Sequence, residues 1–187
     1  MCRLTDDRYE FIKEEVVHLF EHYGVNCIPI NGFELAYKIG IRLIPYSTLP
    51  KAKRKAAMMI SEDGFFLETA EEERIYYNDA KADENYARMN MTILHEIAHD
   101  VLGHTGQEEY ADIEEAEARF FGKYAAAPPP LIHRLPDISP YTIQDAFCLS
   151  ETAAWYAYDY YQKWLQFGKS YYLPYEEKLL RLFQVTA

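Results

Sequence analysis

The chain has 187 residues, of which 49% are hydrophobic, including 17 Tyr and 10 Phe. This is enough apolar material for one domain with a substantial core, and it excludes a disordered chain. Its 19 Lys and Arg against 30 Asp and Glu give a formal net charge of −11, which argues against a general nucleic-acid binder and against docking on anionic membranes.

The first half of the chain alternates helical and strand-like patterns. An amphipathic helix is predicted from about Asp7 to Tyr23, and a short one over Gly32–Ile39. The basic segment Lys51–Met59 predicts either a loop or a helical turn. Three apolar runs predict a small, twisted, antiparallel sheet: Ile41–Tyr46, Phe65–Glu68 and Arg74–Tyr77.

From Asp83 onwards the apolar residues recur at helical spacing. The pattern predicts a helix from Asp83 to Leu102, ended by Gly103. A second helix is predicted from Gln107 to about Ala126. It ends before Pro128–Pro130, because successive prolines cannot continue a helical hydrogen-bond ladder.

The last third of the chain is also predicted to be helical. Ser139 and Ser150 stand where helix N-caps are expected, each before an apolar periodic segment. The tail over 171–187 has the pattern of a short packed helix. The fold class predicted from these elements is α+β, mostly helical, with a small sheet.

Two features concern the cellular compartment. No apolar run approaches the roughly 18–20 residues of a membrane span, and the N-terminus lacks the apolar stretch of a signal peptide, so we expect a cytoplasmic protein. The three cysteines, Cys2, Cys27 and Cys148, are widely separated and odd in number. We therefore expect neither a disulfide framework nor a thiolate zinc site.

The strongest chemical signal lies inside the helix predicted after Asp83. His95-Glu96-Ile97-Ala98-His99 reads H-E-x-x-H, and residues four apart on a helix can present both imidazoles to one metal ion. The sequence therefore predicts Zn²⁺ bound by His95 and His99. Glu96 is predicted to be the general base that activates the attacking water.

A catalytic zinc site needs a third protein ligand. The metzincin spacing would place Gly at 102 and His at 105, where the chain has Leu102 and Thr105. The alternative is a glutamate on the next helix, folded back antiparallel. Three glutamates fall at a suitable separation: Glu114, Glu115 and Glu117.

Helical geometry ranks these three glutamates. Glu117 shares the apolar face of its helix, so it is predicted to be the third ligand. Glu114 lies on the same face and stays open as the fallback ligand or as a hydrogen-bond partner of a ligand histidine. Glu115 lies about 200° from Glu117 on the helical wheel and is expected to be solvated. His104 is expected to cap the helix end or lie on the surface, with contact to substrate or metal as the alternative.

These motifs together resemble one family. The segment Thr92-x-x-His95-Glu96-Ile97-Ala98-His99-x-x-Leu102-Gly103-His104 resembles the core of the ImmA/IrrE metallopeptidases, and Arg88 fits the same pattern. Glu117-Ala118-x-x-Phe121 followed by Pro128 is similar to that family's third-ligand helix. The similarity spans roughly residues 8 to 165. It implies an ImmA/IrrE-like metallopeptidase domain over 1–170, with 171–187 as a C-terminal tail.

The sequence also departs from the family pattern. Arg119 stands where asparagine is common, and Gly122 stands where alanine is usual. Ala157 occupies a position often held by arginine. These differences concern the expected substrate contacts and leave the predicted zinc site intact.

The resemblance implies a zincin-like fold, with the small twisted antiparallel sheet beside the H-E-x-x-H helix, and an intracellular zinc endopeptidase. Several members cleave a helix-turn-helix repressor of a mobile element or stress response, so a repressor is the expected partner, with no direct nucleic-acid or membrane binding. The alternative is an anti-repressor that keeps the fold and acts by contact, although an intact Glu96 favours the enzyme. In a zincin an extended substrate pairs with a sheet edge, and Arg74–Tyr77 is predicted to be that edge.

Overall fold

The computed structural model describes residues 3–70, 72–168 and 170–184 and has an α+β architecture. The strands are β1 Arg42–Pro45, β2 Gly64–Glu68 and β3 Glu73–Tyr77. The helices are α1 Asp6–Tyr23, α2 Gly32–Ile39, α3 Lys51–Ile60, α4 Asp79–Glu84, α5 Tyr86–Val101, α6 Ala111–Ala126, α7 Pro129–Ile132, α8 Pro140–Phe147, α9 Glu151–Phe167 and α10 Pro174–Leu182. No described helix has both the length and the apolar character that crossing a bilayer requires.

The sheet has three strands in the order β1-β3-β2. β2 and β3 form the predicted antiparallel pair, but β1 runs parallel to β3, so the sheet is mixed and the prediction of an antiparallel sheet is wrong for β1. A parallel pair needs a long crossover, which the chain supplies between Pro45 and Glu73 with α3 and β2. Alternation of apolar residues does not encode strand direction.

The predicted substrate edge is also wrong. The strand containing Arg74–Tyr77 is β3, which pairs on both sides and buries Ile75 completely. The strand that lies against α5 is β2, whose Phe66 amide contacts Glu96. The edge strand that could pair with an extended substrate beside α5 is therefore β2 and not β3.

Helix α5 begins later than the sequence predicted. The single helix expected from Asp83 is divided at Asn85, whose backbone leaves the helical region at φ −151° and ψ 86°. The Asn85 side chain accepts a hydrogen bond from the Arg88 N–H and so caps α5. The basic segment after β1 was predicted to be either a loop or a helical turn. It forms the helix α3.

Helices α5 and α6 pack closely along their length. Gly122 of α6 faces the backbone of α5, where a Cβ atom at residue 122 would lie 3.3 Å from the amide nitrogen of His95. The absence of a side chain at Gly122 allows this separation. Gly122 therefore lets the third turn of α5 lie close against α6.

The core sits between these helices, the sheet and α1. Ile12, Val16 and Phe20 of α1 are fully buried in it, as is Leu179 of α10. Residues 185–187 of the predicted tail helix lie outside the described residues, as does Cys2. Cys27 and Cys148 are exposed thiols.

Candidate metal centre

Two histidines of α5 face each other across one helical turn. Nε2 of His95 lies 3.3 Å from Nε2 of His99. Two nitrogens bound at about 2.0–2.1 Å to one tetrahedral zinc ion lie about 3.3 Å apart. The two imidazoles therefore have the spacing of a zinc-binding pair.

Glu115 of α6 supplies the carboxylate beside this pair. Its Oε2 lies 3.5 Å from Nε2 of His95, and its Oε1 lies 3.5 Å from Nε2 of His99. One ligand atom from each of the three residues falls within 4.8 Å of the others. His95, His99 and Glu115 thus form a possible metal-binding triad that offers two nitrogens and one oxygen.

The structure does not bring Glu117 to this site, contrary to the sequence prediction. The Glu117 side chain is 7% exposed and that of Glu115 is 46% exposed. Glu117 was predicted from the helical wheel because it faces the core. The histidine pair instead faces the half-exposed margin of α6, where the sequence analysis placed a solvated Glu115.

Glu117 makes a different set of contacts. Arg8 of α1 donates from Nε to Oε1 at 2.7 Å and from Nη2 to Oε2 at 2.6 Å. Nε2 of His104 lies 3.0 Å from Oε2. Burial by itself raises the pKa of Glu117, but the hydrogen bonds from Arg8 and His104 hold it below its usual value. Glu117 is therefore an anion fixed between α1 and the end of α5.

Glu114, the fallback ligand, closes the connection between α5 and α6. Its Oε1 accepts hydrogen bonds from the backbone N–H and the hydroxyl of Thr105 at 2.8 and 3.1 Å. Its Oε2 accepts from the Gly106 N–H at 3.1 Å. These contacts explain its burial without a metal ion.

Glu96, the predicted base, lies at the junction of α5 and the sheet. Its residue exposure is 7%, and its Oε2 accepts a hydrogen bond of 2.8 Å from the Phe66 N–H. Burial raises the pKa of Glu96 to about 7, although the neighbouring His95 and the Phe66 amide lower it. A carboxyl group with this pKa can both accept and release a proton near neutral pH.

His104 was expected to cap the helix end or to lie on the surface, and it caps the helix end with its side chain buried. Its side chain is 4% exposed, and its Nδ1 lies 2.9 Å from Nδ1 of His99. Its backbone N–H donates to the carbonyl of His99 and so closes the helix end. Burial, His95 and His104 lower the pKa of His99 to about 4, which leaves this imidazole neutral and able to bind a metal at pH 7.

A cleft of about 1480 Å³ reaches the site. His95 and Glu96 line it, together with Gly64 at the start of β2 and Arg119 and Lys123 of α6. The cleft is large enough for several residues of a peptide, since small-molecule pockets measure about 300–1,000 Å³. The predicted general base therefore borders this cleft.

Sequence reasoning missed Arg8. It precedes His95 by more than eighty residues, and no local motif links α1 to the H-E-x-x-H helix. A weak signal is present, because Arg8 stands in the first turn of a helix, where acidic residues are favoured. A cation at that position is explained by its partner Glu117.

Comparisons with known proteins yield no match among protein-family models, curated proteins or solved structures.

Proposed function

We propose that this protein is a zinc-dependent endopeptidase. The observation that supports it most is the arrangement of His95, His99 and Glu115, which places one ligand atom of each residue within 4.8 Å of the other two. The proposed ligand set is thus the predicted histidine pair with Glu115 in place of Glu117. Zn²⁺ bound there would supply Lewis acidity for polarising the scissile carbonyl and activating water.

Glu96 supports the choice of a hydrolase. It is adjacent to a ligand histidine, lies in the cleft wall, and is held by the Phe66 amide through Oε2. We assign it the transfer of a proton from the attacking water to the leaving amine. A pKa of about 7 suits both halves of this transfer. A protein that acted only by contact has no need of a buried base in this position.

The proposed substrate is an intracellular protein, and a helix-turn-helix repressor of a mobile element or stress response is the leading candidate. This part of the proposal is supported by the resemblance of the Thr92–His104 segment to the ImmA/IrrE metallopeptidases. The net charge of −11 supports a protein substrate over direct binding to nucleic acid or an anionic membrane.

The test is cleavage of purified helix-turn-helix repressors, chosen first from genes beside this one, with fragments mapped by mass spectrometry. We expect zinc-dependent cleavage that stops on chelation and falls on the order of 10²–10⁴-fold in Glu96→Gln. An exposed change, Glu108→Gln, is the control. If the parent and Glu96→Gln relieve repression equally without cutting the repressor, the protein acts by contact and the proposal is wrong.

A further inference from the structure

Four side chains form a continuous chain of polar contacts from α1 to the metal-binding histidines. Arg8 holds both oxygens of Glu117, Glu117 holds Nε2 of His104, and Nδ1 of His104 contacts Nδ1 of His99. The distances are 2.7, 2.6, 3.0 and 2.9 Å in that order. His99 contributes its other nitrogen, Nε2, to the metal-binding triad.

The donors and acceptors along this chain favour one arrangement of the protons. The Arg8 guanidinium can only donate, and an ionised Glu117 can only accept. Nε2 of His104 must therefore carry the proton that it shares with Glu117. Of the two neutral tautomers of His104, only the one protonated at Nε2 can donate to Glu117, and in that tautomer Nδ1 accepts the proton of Nδ1 of His99.

This arrangement determines the tautomer of His99. A neutral imidazole carries one proton, and when it is on Nδ1 the lone pair is on Nε2. That is the nitrogen that lies 3.3 Å from Nε2 of His95 and 3.5 Å from Oε1 of Glu115. The contacts thus hold the imidazole in the form and orientation that a metal ion needs.

We propose that Arg8, Glu117 and His104 are a positioning relay that holds His99 ready for metal binding, and that Glu117 is not itself a ligand. The inference rests on the proposed function only in assuming a metal at His95, His99 and Glu115. It assigns a role to the otherwise unexplained buried pair of Glu117 and His104, whose side chains are 7% and 4% exposed. It also makes α1 part of the metal centre, although α1 contributes no ligand.

The first test is metal affinity, measured by competition of Zn²⁺ and Co²⁺ with a chromophoric chelator. His104→Ala and Glu117→Gln should weaken binding about 10–100-fold, the range for loss of a partner that orients a ligand histidine. The Co²⁺ absorption spectrum should keep its shape, because the ligands are unchanged. His104→Gln can accept from His99 and donate to Glu117, so it should recover part of the affinity.

Matched controls separate this effect from general damage. His22→Ala removes an exposed histidine and Glu108→Gln removes an exposed charge, and both should bind metal as the parent does. In metal-free protein, ¹⁵N–¹H correlation of the imidazole nitrogens should show His99 protonated at Nδ1. That signal should lose its single-tautomer pattern in His104→Ala, provided the variant remains folded by circular dichroism.

The possible outcomes separate this relay from the proposed function. If the parent binds metal and His104→Ala binds it within about threefold, the relay is wrong and the metal site stands. If Glu117→Gln abolishes binding while Glu115→Gln retains it, Glu117 is the ligand and the relay is overturned. If the parent binds neither Zn²⁺ nor Co²⁺, both proposals fail.

Discussion

The backbone N–H of Phe66 donates a 2.8 Å hydrogen bond to Oε2 of Glu96. This contact joins strand β2 to helix α5 at the wall of the cleft. It fixes one oxygen of a buried carboxylate, and it partly offsets the cost of burying its charge. The state of Glu96 therefore affects both the stability of the fold and the proposed proton transfer.

Glu96→Gln should stabilise the metal-free protein at alkaline pH. The pKa of Glu96 rises from 4.5 to about 7 on folding, so the folded parent binds a proton more tightly than the unfolded chain. The parent's stability relative to Glu96→Gln is therefore greatest below pH 4.5 and falls as the pH rises through 7. The difference approaches about 3 kcal/mol above pH 8.

The measurement is chemical denaturation of both proteins at pH 4.5 to 8.5 with chelator present. The free energy of unfolding of Glu96→Gln should rise relative to the parent across this interval. Glu108→Gln, at an exposed position, serves as the control for loss of one negative charge. Parallel curves for Glu96→Gln and the parent would show that burial does not raise the pKa of Glu96.

The part of the site within one helix could be predicted from the sequence. His95, Glu96 and His99 have fixed relative positions on α5, and helical spacing alone brings the two imidazole nitrogens within 3.3 Å. The third ligand could not be chosen the same way. Both Glu115 and Glu117 lie on α6, and the choice depends on the rotation of α6 against α5, which Gly122 helps to set.

The helices of the fold were also more predictable than the sheet. Local capping, such as Gly24 after α1 and Ser150 before α9, is visible in the sequence and present in the structure. The parallel pairing of β1 with β3 depends on a crossover of more than twenty residues. Such a pairing has no local signal, because the faces of a strand alternate in the same way in either direction.

Glu114→Ala should destabilise the fold without removing the metal. Glu114 accepts hydrogen bonds from Thr105 and Gly106, and their loss costs about 1–3 kcal/mol at pH 7. Burial raises the pKa of Glu114, yet these hydrogen bonds keep it below its usual value. The stabilisation is therefore present above about pH 4.5 and lost as the pH falls through the folded-state pKa.

Urea denaturation between pH 3 and 7 tests this, with Glu109→Ala as the exposed control. The deficit of Glu114→Ala should be largest at pH 7 and shrink in acid, while zinc affinity stays within a few-fold of the parent. If Glu114→Ala were as stable as the parent but bound no metal, Glu114 would instead be identified as a ligand.

Gly122→Val should disturb the metal site from the opposite helix. A Cβ at this position lies 3.3 Å from the nitrogen and 3.5 Å from the Cα of His95, and these are backbone atoms that cannot rotate away. The added methyl groups should lower the free energy of unfolding by about 1–3 kcal/mol and displace His95. Because His95 is a proposed ligand, the zinc affinity of Gly122→Val should also fall.

Ala111→Val, at an exposed position of the same helix, is the control for the helix propensity of valine. The stability of both variants is measured by thermal denaturation, and their zinc affinity is measured by competition with a chelator. Parent-like stability and affinity in Gly122→Val would contradict the close packing of α6 on α5 at His95.

The most direct test of the central proposal is the zinc stoichiometry and affinity of the purified protein, measured by calorimetry after chelator treatment and removal of the chelator. The proposal predicts one Zn²⁺ per chain for the parent. His95→Ala and Glu115→Gln should each weaken binding by more than about 100-fold, because each removes a direct ligand, and Glu108→Gln should bind as the parent does. A parent that binds no zinc under these conditions, or a Glu115→Gln variant with the parent's affinity, would contradict the metal centre described for His95, His99 and Glu115.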